Sequence, residues 1–204
     1  MIHPSLELRM ISPEVGYGVF ATELIPKGTI TYVEDELEVR IPEAQFLSYQ
    51  TPIRAILDKF SYIDAHGDRI LSWDFGKYVN HSCDFNSIST GYGFEIAIRD
   101  IAAGEQLTDE YGIFNLEQPM ECFCGSPKCR GMVGKEDFKK LYPEWDTLIL
   151  EALPLMSEVA QPLWSLIDEE TLKSLDDFQK DPSLYRSVFS LYRAPKAVGV
   201  EPAN

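Results

Sequence analysis

The sequence predicts a mainly β domain with α-helices, in which a β-rich unit reaches to about residue 134 and a helical segment follows. Its 204 residues, 45% of them hydrophobic and 12% aromatic, are enough to bury a core, which argues against a disordered chain. Short runs of alternating apolar and polar residues, separated by Gly and Pro, occupy the first part. After Gly134 the apolar residues recur at the three- and four-residue spacing of a helix.

The N-terminal 41 residues are predicted to form short strands. Residues 6–11 alternate roughly between apolar and polar side chains, and a Gly-Tyr-Gly turn at residues 16–18 leads into a second strand. Residues 29–33 follow a Pro-Lys-Gly turn and are rich in β-branched and aromatic side chains. This pattern is typical of a small antiparallel sheet.

The middle of the chain is predicted to contain a helical stretch and then further strands. Pro42 suits the first turn of a helix, and Pro52 must kink or split that helix. Its apolar residues, at near-helical spacing, are Phe46, Tyr49, Ile53, Ile56, Leu57 and Phe60. Residues 61–64 and 69–73 are predicted to pair as a hairpin, and residues 94–99 form the clearest alternating strand.

The C-terminal segment is predicted to be helical. Asp168 suits the cap of a helix whose apolar face carries Leu172, Leu175 and Phe178. Asp181 followed by Pro182 predicts the start of another helix. The apolar face of this second helix would carry Leu184, Val188, Leu191 and Tyr192. Residues 194–204 are predicted to be a flexible tail.

The net charge of −15, from 18 basic and 33 acidic residues, is spread along the chain. Direct binding to nucleic acid is not expected because the protein's field has the wrong sign for phosphates. The charge favours a basic partner, such as a Lys/Arg-rich protein segment, although plain solubility explains it equally well. We find no signal peptide and no apolar run long enough to span a membrane, so an intracellular location is expected, cytoplasmic rather than nuclear unless the source is eukaryotic.

The four cysteines suggest a metal site. Cys122, Cys124 and Cys129 lie in a tight loop with Gly and Pro between them, and Cys83 comes from a distant part of the chain. Four thiolates in a tetrahedron are a standard ligand set for structural Zn²⁺, with no position left open for catalysis. Two disulfides and unrelated free thiols are the alternatives, although a chain of this length without a secretion signal has little need of disulfides.

Four segments, in order, carry a resemblance to one family. Residues 16–21 (GYGVFA) and residues 78–86 (YVNHSCDFN) resemble the glycine-rich opening and the N-H-S-C signature of SET-domain methyltransferases. Residues 103–112 (AGEQLTDEYG) resemble the family's G-E-E-L-T-x-D-Y segment. Residues 122–131 (CFCGSPKCRG) are similar to its post-SET zinc motif. Each motif alone would be weak, but their order makes coincidence improbable.

The resemblance implies a fold, a β-clip of small sheets in which the N-H-S-C segment and the G-E-x-L-T-x-x-Y segment thread past each other as a pseudoknot. It divides the chain into a SET domain at residues 5–115, a post-SET zinc motif at residues 116–134 and a helical segment at residues 135–193 that resembles nothing we can name. This last segment could cover the substrate groove, form a dimer or bind a partner.

The resemblance also implies an activity, which is the transfer of methyl groups from S-adenosylmethionine to lysine side chains of a basic protein. Tyr111 would be catalytic, with Tyr62 as a less certain second tyrosine. The residues implied in cofactor binding are Gly16, Tyr17, Gly18, Tyr62, Asn80, His81, Tyr111 and Phe123. One structural Zn²⁺ would be bound by Cys83, Cys122, Cys124 and Cys129.

The sequence departs from the family pattern at several points. Asp109 stands where many members carry Phe or Tyr and where the number of methyl groups added is often decided, so that number cannot be read here. Tyr32 or Glu34 falls where another active-site tyrosine is usual. These departures leave open a catalytically silent SET module that acts as a zinc-stabilised, protein-binding adaptor. A purely structural zinc adaptor is a third reading, but it would have no reason to retain residues 16–18 or the Asn80-His81 pair.

Overall fold

The computed structural model describes residues 1–194, and residues 195–204, which include nearly all of the predicted tail, lie outside the described residues. The described chain is a mixture of small sheets and helices, as the sequence predicts. The strands in the first half are β1 (Leu6–Ser12), β2 (Gly16–Ala21), β3 (Ile30–Val33), β4 (Val39–Ile41), β5 (Ser61–Ile63) and β6 (Arg69–Leu71). The later strands are β7 (Asn80–His81), β8 (Ser87–Ser89), β9 (Phe94–Ala97), β10 (Thr108–Asp109), β11 (Met120–Glu121) and β12 (Met132–Val133).

These strands form five small sheets. β1 and β2 form an antiparallel hairpin, and β11 and β12 pair antiparallel next to the cysteine loop. Two three-stranded sheets follow the orders β3-β9-β8 and β4-β6-β5, the second of which contains the predicted hairpin of residues 61–73. β7 and β10 pair in parallel, although 26 residues of chain separate His81 from Thr108. This parallel pair is the threading of two segments that the resemblance implies.

The four α-helices within residues 1–194 are α1 (Glu43–Ser48), α2 (Thr51–Phe60), α3 (Lys135–Ala152) and α4 (Glu169–Lys180). The predicted helical stretch is split as expected: Pro52 lies in the first turn of α2, where its missing N–H has no helical partner to lose. Asp168 caps α4, since its side chain accepts a 2.8 Å hydrogen bond from the backbone N–H of Thr171. None of the helices described among residues 1–194 is long and apolar enough to cross a bilayer.

The predicted helix that begins at Asp181-Pro182 is wrong. The segment instead forms two short 3-10 turns, Pro182–Leu184 and Val188–Leu191, with extended backbone between them. Asp146 on α3 holds the extended part, because its carboxylate accepts hydrogen bonds from the Tyr185 hydroxyl (2.7 Å), the Ser187 hydroxyl (2.6 Å) and the Val188 backbone N–H (2.8 Å). The start signals were real, but each one opened a single turn, since tertiary anchoring outweighed a weak helix propensity.

The helical segment shares one hydrophobic core with the β-rich unit. Phe138, Trp145 and Ile149 of α3 are buried in the same cluster as Ile30 of β3 and Ile96 of β9. The Gln161 side chain adds polar links, accepting from the Ile30 N–H (2.9 Å) and donating to the Gly28 carbonyl (2.7 Å). The helices therefore pack on the domain through the faces that the sequence marks as apolar. The boundaries at residues 115 and 134 stay predictions, as does a dimer or partner contact through these helices.

Candidate active site and cysteine cluster

The parallel pair β7–β10, here called the crossing, brings two of the four sequence motifs side by side. Asn80 pairs with Thr108 and His81 with Asp109. Tyr111 follows directly in a 3-10 turn, and its hydroxyl donates a 2.5 Å hydrogen bond to the carbonyl oxygen of Val79. Because Val79 precedes β7, this hydrogen bond ties the end of one threaded segment to the start of the other.

A cavity of about 600 Å³ opens beside the crossing and contains both tyrosines that the sequence singles out. Tyr62 and Tyr111 line it, and a third tyrosine, Tyr32, completes an aromatic wall. The rings are close: Tyr62 and Tyr111 each lie within 5.5 Å, centroid to centroid, of the Phe114 ring. The lining also contains charged residues, namely Asp58, Lys59, Arg69, Lys77, Glu95, Asp109 and Glu117. A cavity of this volume, lined by both apolar and polar groups, is typical of a small-molecule or side-chain binding site.

Burial keeps the hydroxyls of these tyrosines protonated. It raises the pKa of Tyr111, and the nearby Asp109 and Glu95 carboxyls raise it further. It also raises the pKa of Tyr62, whose hydroxyl donates a 3.1 Å hydrogen bond to Glu34 Oε2. The tyrosines therefore enter any reaction as neutral hydrogen-bonding groups rather than as bases.

Two carboxyl groups, Glu95 and Asp109, meet at the wall of the cavity and form what we call the carboxyl pair. They are hydrogen-bonded to each other, and Asp109, which is only 2% exposed, also accepts a 2.6 Å hydrogen bond from the Glu110 N–H. Burial raises the pKa of Glu95 to about 7, against the lowering effect of its hydrogen bond from Asp109. Burial, and then the charge of Glu95, raise the pKa of Asp109 as well. The pair therefore shares a proton at neutral pH.

The glycine-rich turn and Asn80 form a second cluster, and Asn80 follows Val79, which lines the cavity. The Asn80 side chain donates a 3.0 Å hydrogen bond to the carbonyl of Tyr17. A Cβ on Gly18 would lie 2.6 Å from Ile11 Cδ1, 2.7 Å from Gln106 Nε2 and 3.1 Å from Asn80 Nδ2, so a side chain here would displace the ends of these neighbouring side chains. At Gly16, where φ is +83°, an added Cβ would meet nothing within 4 Å. The structure thus brings Gly18, Tyr17 and Asn80 together and leaves the Gly16 backbone open.

The His81 ring is engaged by protein atoms. Its Nδ1 lies 2.9 Å from the carbonyl oxygen of Asp109 and 3.2 Å from the backbone nitrogen of Tyr111, and its Nε2 lies 3.3 Å from Cys83 Sγ. Burial lowers the pKa of His81, so the ring is neutral at physiological pH. The ring therefore connects the crossing to the cysteines. Phe123 differs from the other predicted cofactor residues because its side chain is 86% exposed.

The four cysteines lie together, with their sulfur atoms all within 4.8 Å of one another. Cys83 Sγ and Cys122 Sγ are 3.8 Å apart, far beyond the roughly 2.05 Å of a disulfide bond. The same distance fits the edge of a tetrahedron around a metal with bonds of about 2.3 Å to sulfur, which is the geometry of Zn²⁺. The cluster therefore suits a metal and does not form disulfides.

The loop backbone favours a thiolate at Cys124, whereas burial raises the pKa of Cys83 and raises that of Cys122 to about 12. Burial acts to raise the pKa of the Cys124 thiol, but hydrogen bonds from the Cys83 and Ser126 N–H groups and from neighbouring cysteines lower it to about 6. The Arg130 N–H donates to Cys83 Sγ at 3.4 Å. Gly125, at φ +72°, makes the tight turn that a residue with a side chain would strain. The N–H groups point at sulfur, as they do in metal-binding loops.

Arg130 links the cysteine loop to the active-site turn, a contact that the sequence did not reveal. Its guanidinium donates two hydrogen bonds to the carboxylate of Glu110, at 2.8 Å and 2.6 Å, and Glu110 is fully buried. Glu110 Oε1 also accepts a 2.7 Å hydrogen bond from the Gly112 N–H. Arg130 follows Cys129 and Glu110 precedes Tyr111, so the ion pair fixes the catalytic candidate relative to the cysteines.

Comparison with known proteins agrees with this geometry: residues 16–112 match the family model of the SET domain. The chain contains a SET domain. Curated relatives include the "Histone-lysine N-methyltransferase, H3 lysine-36 specific" of Mycosarcoma maydis, 32% identical over 163 residues that cover 72% of this chain and 16% of the relative. The protein of the same description from Schizosaccharomyces pombe is 26% identical over 217 residues, covering 93% of this chain and 25% of the relative.

A third relative, the "Variant-silencing SET domain-containing protein" of Plasmodium falciparum, is 32% identical over 134 residues, which cover 57% of this chain and 5% of that protein. The chain thus spans a quarter or less of the length of these three relatives. Through its SET domain, this chain is a member of the SET-domain protein-lysine methyltransferase family.

Proposed function

We propose that this SET domain transfers methyl groups from S-adenosylmethionine to lysine side chains of a basic protein. The observation that carries the proposal is the convergence of Tyr62 and Tyr111 on one cavity beside the crossing. The two tyrosines come from distant parts of the chain and bring two hydroxyl-bearing rings to one cavity, which is what positioning a reacting group requires. The curated names of the relatives support lysine methylation as the reaction class.

The residues of the chain would align the reacting groups, limit their contact with water and favour the neutral form of the target amine. The cosubstrate supplies a methyl group on a sulfonium, and transfer to nitrogen is an in-line displacement that needs positioning above all. Tyr111 holds its ring in the cavity through the hydrogen bond to Val79, and Tyr62 is anchored by Glu34. The aromatic rings beside the amine would reduce its contact with water, and desolvation lowers the pKa of an amine.

The second cluster would hold the cosubstrate. Asn80, which follows the cavity-lining residue Val79, and the open backbone at Gly16 offer polar groups for this purpose. His81 would act through its backbone, because its ring is engaged by protein atoms. The exposed ring of Phe123 is free to stack on adenine. Asn80→Ala should weaken S-adenosylmethionine binding about tenfold, as loss of one buried hydrogen bond predicts.

We further propose that Cys83, Cys122, Cys124 and Cys129 bind one structural Zn²⁺. The fit rests on the 3.8 Å separation of two sulfur atoms and on the N–H groups that point at the thiols. Four cysteine ligands leave no open position, so the metal would stabilise the loop and take no part in transfer. Free thiols in this arrangement suit a reducing, intracellular compartment, whether cytoplasm or nucleus.

A lysine-rich protein segment is the substrate class that the charge favours, since the protein carries a net charge of −15. Because relatives are named for histone H3, we propose histone tails among the candidate substrates. The test is incubation with labelled S-adenosylmethionine and separate core histones, Lys/Arg-rich peptides and an acidic protein as control. Mass spectrometry should find methyl-lysine in a basic substrate and none in the acidic protein.

The alternative is a silent module, which the unusual Asp109 still favours. It predicts that S-adenosylmethionine binds, with an affinity measurable by calorimetry, and that no substrate is methylated. Tyr111→Phe is the matched control for a positive result, because background methylation from a contaminating enzyme would survive this change. Binding without transfer across the whole panel would refute the proposed activity.

A further inference from the structure

The carboxyl pair, Glu95 and Asp109, has no part in the roles described so far. Glu95 lies on β9 directly opposite Tyr32 of β3, and Asp109 ends β10 two residues before Tyr111. Both side chains line the cavity together with Tyr62 and Tyr111. The two carboxyls thus stand in the wall that the target amine must pass.

The charge of this pair is not neutralised by a basic side chain. Among residues 1–194, no Lys or Arg forms an ion pair with either carboxyl group, whereas the neighbouring Glu110 is paired with Arg130. The other titratable groups that act on the pair are the Tyr62 and Tyr111 hydroxyls, the Glu110 carboxylate and, through its charge, the Met1 amine. Lys59, Arg69 and Lys77 also line the cavity, but Arg69 is ion-paired with Asp58 and Glu117, and Lys77 donates to the backbone carbonyls of Ser72, Trp73 and Asp74. An uncompensated carboxylate at a poorly solvated wall is costly, so the wall at the carboxyl pair favours a cation.

We infer that the pair of Glu95 and Asp109 accepts the proton that the target lysine must lose before methyl transfer. This inference rests on the proposed function and adds a proton acceptor to it. An ordinary lysine, with a pKa of about 10.4, is neutral in roughly one molecule in 2,500 at pH 7. A carboxylate next to the ammonium, whose own pKa is raised, can accept this proton directly, so the reaction no longer depends on the small neutral fraction of free lysine.

The step balances without any further reactant. The ammonium gives one proton to the pair, and the lone pair left on nitrogen forms the new N–C bond. The C–S bond of the donor breaks, its electrons stay on sulfur, and the sulfonium becomes a neutral thioether. The proton then passes from the pair to water, so that each methyl transferred releases one proton.

The test compares the wild type with the double variant Glu95→Gln/Asp109→Asn, which keeps the shape and removes the proton acceptor. Single-turnover transfer to a Lys/Arg-rich peptide methylated in the panel above is followed from pH 6 to pH 9.5. We expect the double variant to be slower at pH 7 by roughly 10²-fold and to gain about tenfold per pH unit, while the wild type reaches a plateau near neutral pH. Glu151→Gln, which removes an exposed carboxylate paired with Lys27, should behave as wild type.

A second readout excludes a merely structural effect. Replacing the target lysine with aminoethylcysteine, whose amine is less basic, should rescue the double variant and leave the wild type nearly unchanged. Equal pH profiles for wild type and double variant, or no rescue, would overturn the inference while leaving the proposed function intact. If the wild type binds S-adenosylmethionine but methylates no peptide, the proposed function fails and the inference is overturned with it. Thermal melting checks that the double variant is folded.

Discussion

Replacing Arg130 with alanine should destabilise the protein much more than replacing Arg186, although both side chains form ion pairs. Arg130 donates two hydrogen bonds to Glu110, which is fully buried, whereas Arg186 pairs at 3.4 Å with Glu170, whose side chain is 84% exposed. Without Arg130, the Glu110 carboxylate keeps only the N–H of Gly112 as a short partner on Oε1. Removing one partner of a buried ion pair costs about 3–5 kcal/mol, and losing an exposed pair costs at most about 1 kcal/mol.

The assay is urea unfolding of Arg130→Ala and Arg186→Ala at pH 7.5, with zinc content measured on each sample. Adding Glu110→Gln to Arg130→Ala should restore part of the lost stability, because the variant then buries an amide rather than an unpaired charge. A loss below 1 kcal/mol for Arg130→Ala, with zinc content unchanged, would refute the reasoning. It would mean that the carboxylate finds water or another donor when the guanidinium is gone.

Three further predictions concern the cavity and the cysteines. Tyr111→Phe should leave S-adenosylmethionine affinity within twofold but slow single-turnover transfer roughly 10²-fold, since it removes a hydrogen bond that aligns the transition state; near-normal transfer would exclude Tyr111 from this role. Metal analysis should find one zinc per chain in the wild type and none in Cys124→Ser. The Tm of this variant should fall by roughly 6–12 °C, about 3 kcal/mol, and an unchanged metal content would contradict the ligand set. Asp109→Asn should stabilise the protein at pH 8 by on the order of 1 kcal/mol, because the raised pKa of the buried carboxyl makes wild-type stability fall as pH rises from about 4 through its folded pKa. Urea unfolding at pH 4.5 and pH 8 measures the free energy of unfolding of Asp109→Asn and of the wild type. A variant that is less stable than the wild type by the same amount at both pH values would contradict this prediction.

The sequence was sufficient for the parts of the site that short motifs encode. The glycine-rich turn, the N-H-S-C segment and the cysteine loop are each short motifs that can be recognised in the sequence. The family resemblance then predicted that these motifs lie close together in the folded protein. The cysteine spacing alone could not pair Cys83 with residues some 40 positions later, because spacing says nothing of how distant segments thread. The crossing of β7 and β10, which is a feature of the tertiary structure, determines which distant segments meet.

The carboxyl pair shows where sequence reasoning ended. Alternation in residues 94–97 correctly separates Phe94 and Ile96, which are buried, from Glu95 on the opposite face. A polar residue on the opposite face is ordinarily assigned to solvent. Here that face looks into a cavity formed by other elements, and alternation cannot show what covers a face. The failed helix at residues 181–192 has a similar cause, since Asp146 lies on a different element.

The proposed zinc ligands are connected by side-chain contacts to the proposed transfer site, so a structural metal bound there would influence activity. His81 contacts Cys83 through one ring nitrogen and the Asp109–Tyr111 backbone through the other. Arg130, next to Cys129, binds Glu110, the residue before Tyr111. Releasing the metal would loosen both connections to the turn that positions Tyr111, while the core shared with α3 would keep the rest of the domain folded. Under mild chelation, transfer should therefore be lost before the helical content falls, and simultaneous loss of both would show that the cysteine cluster supports the whole fold and not this turn.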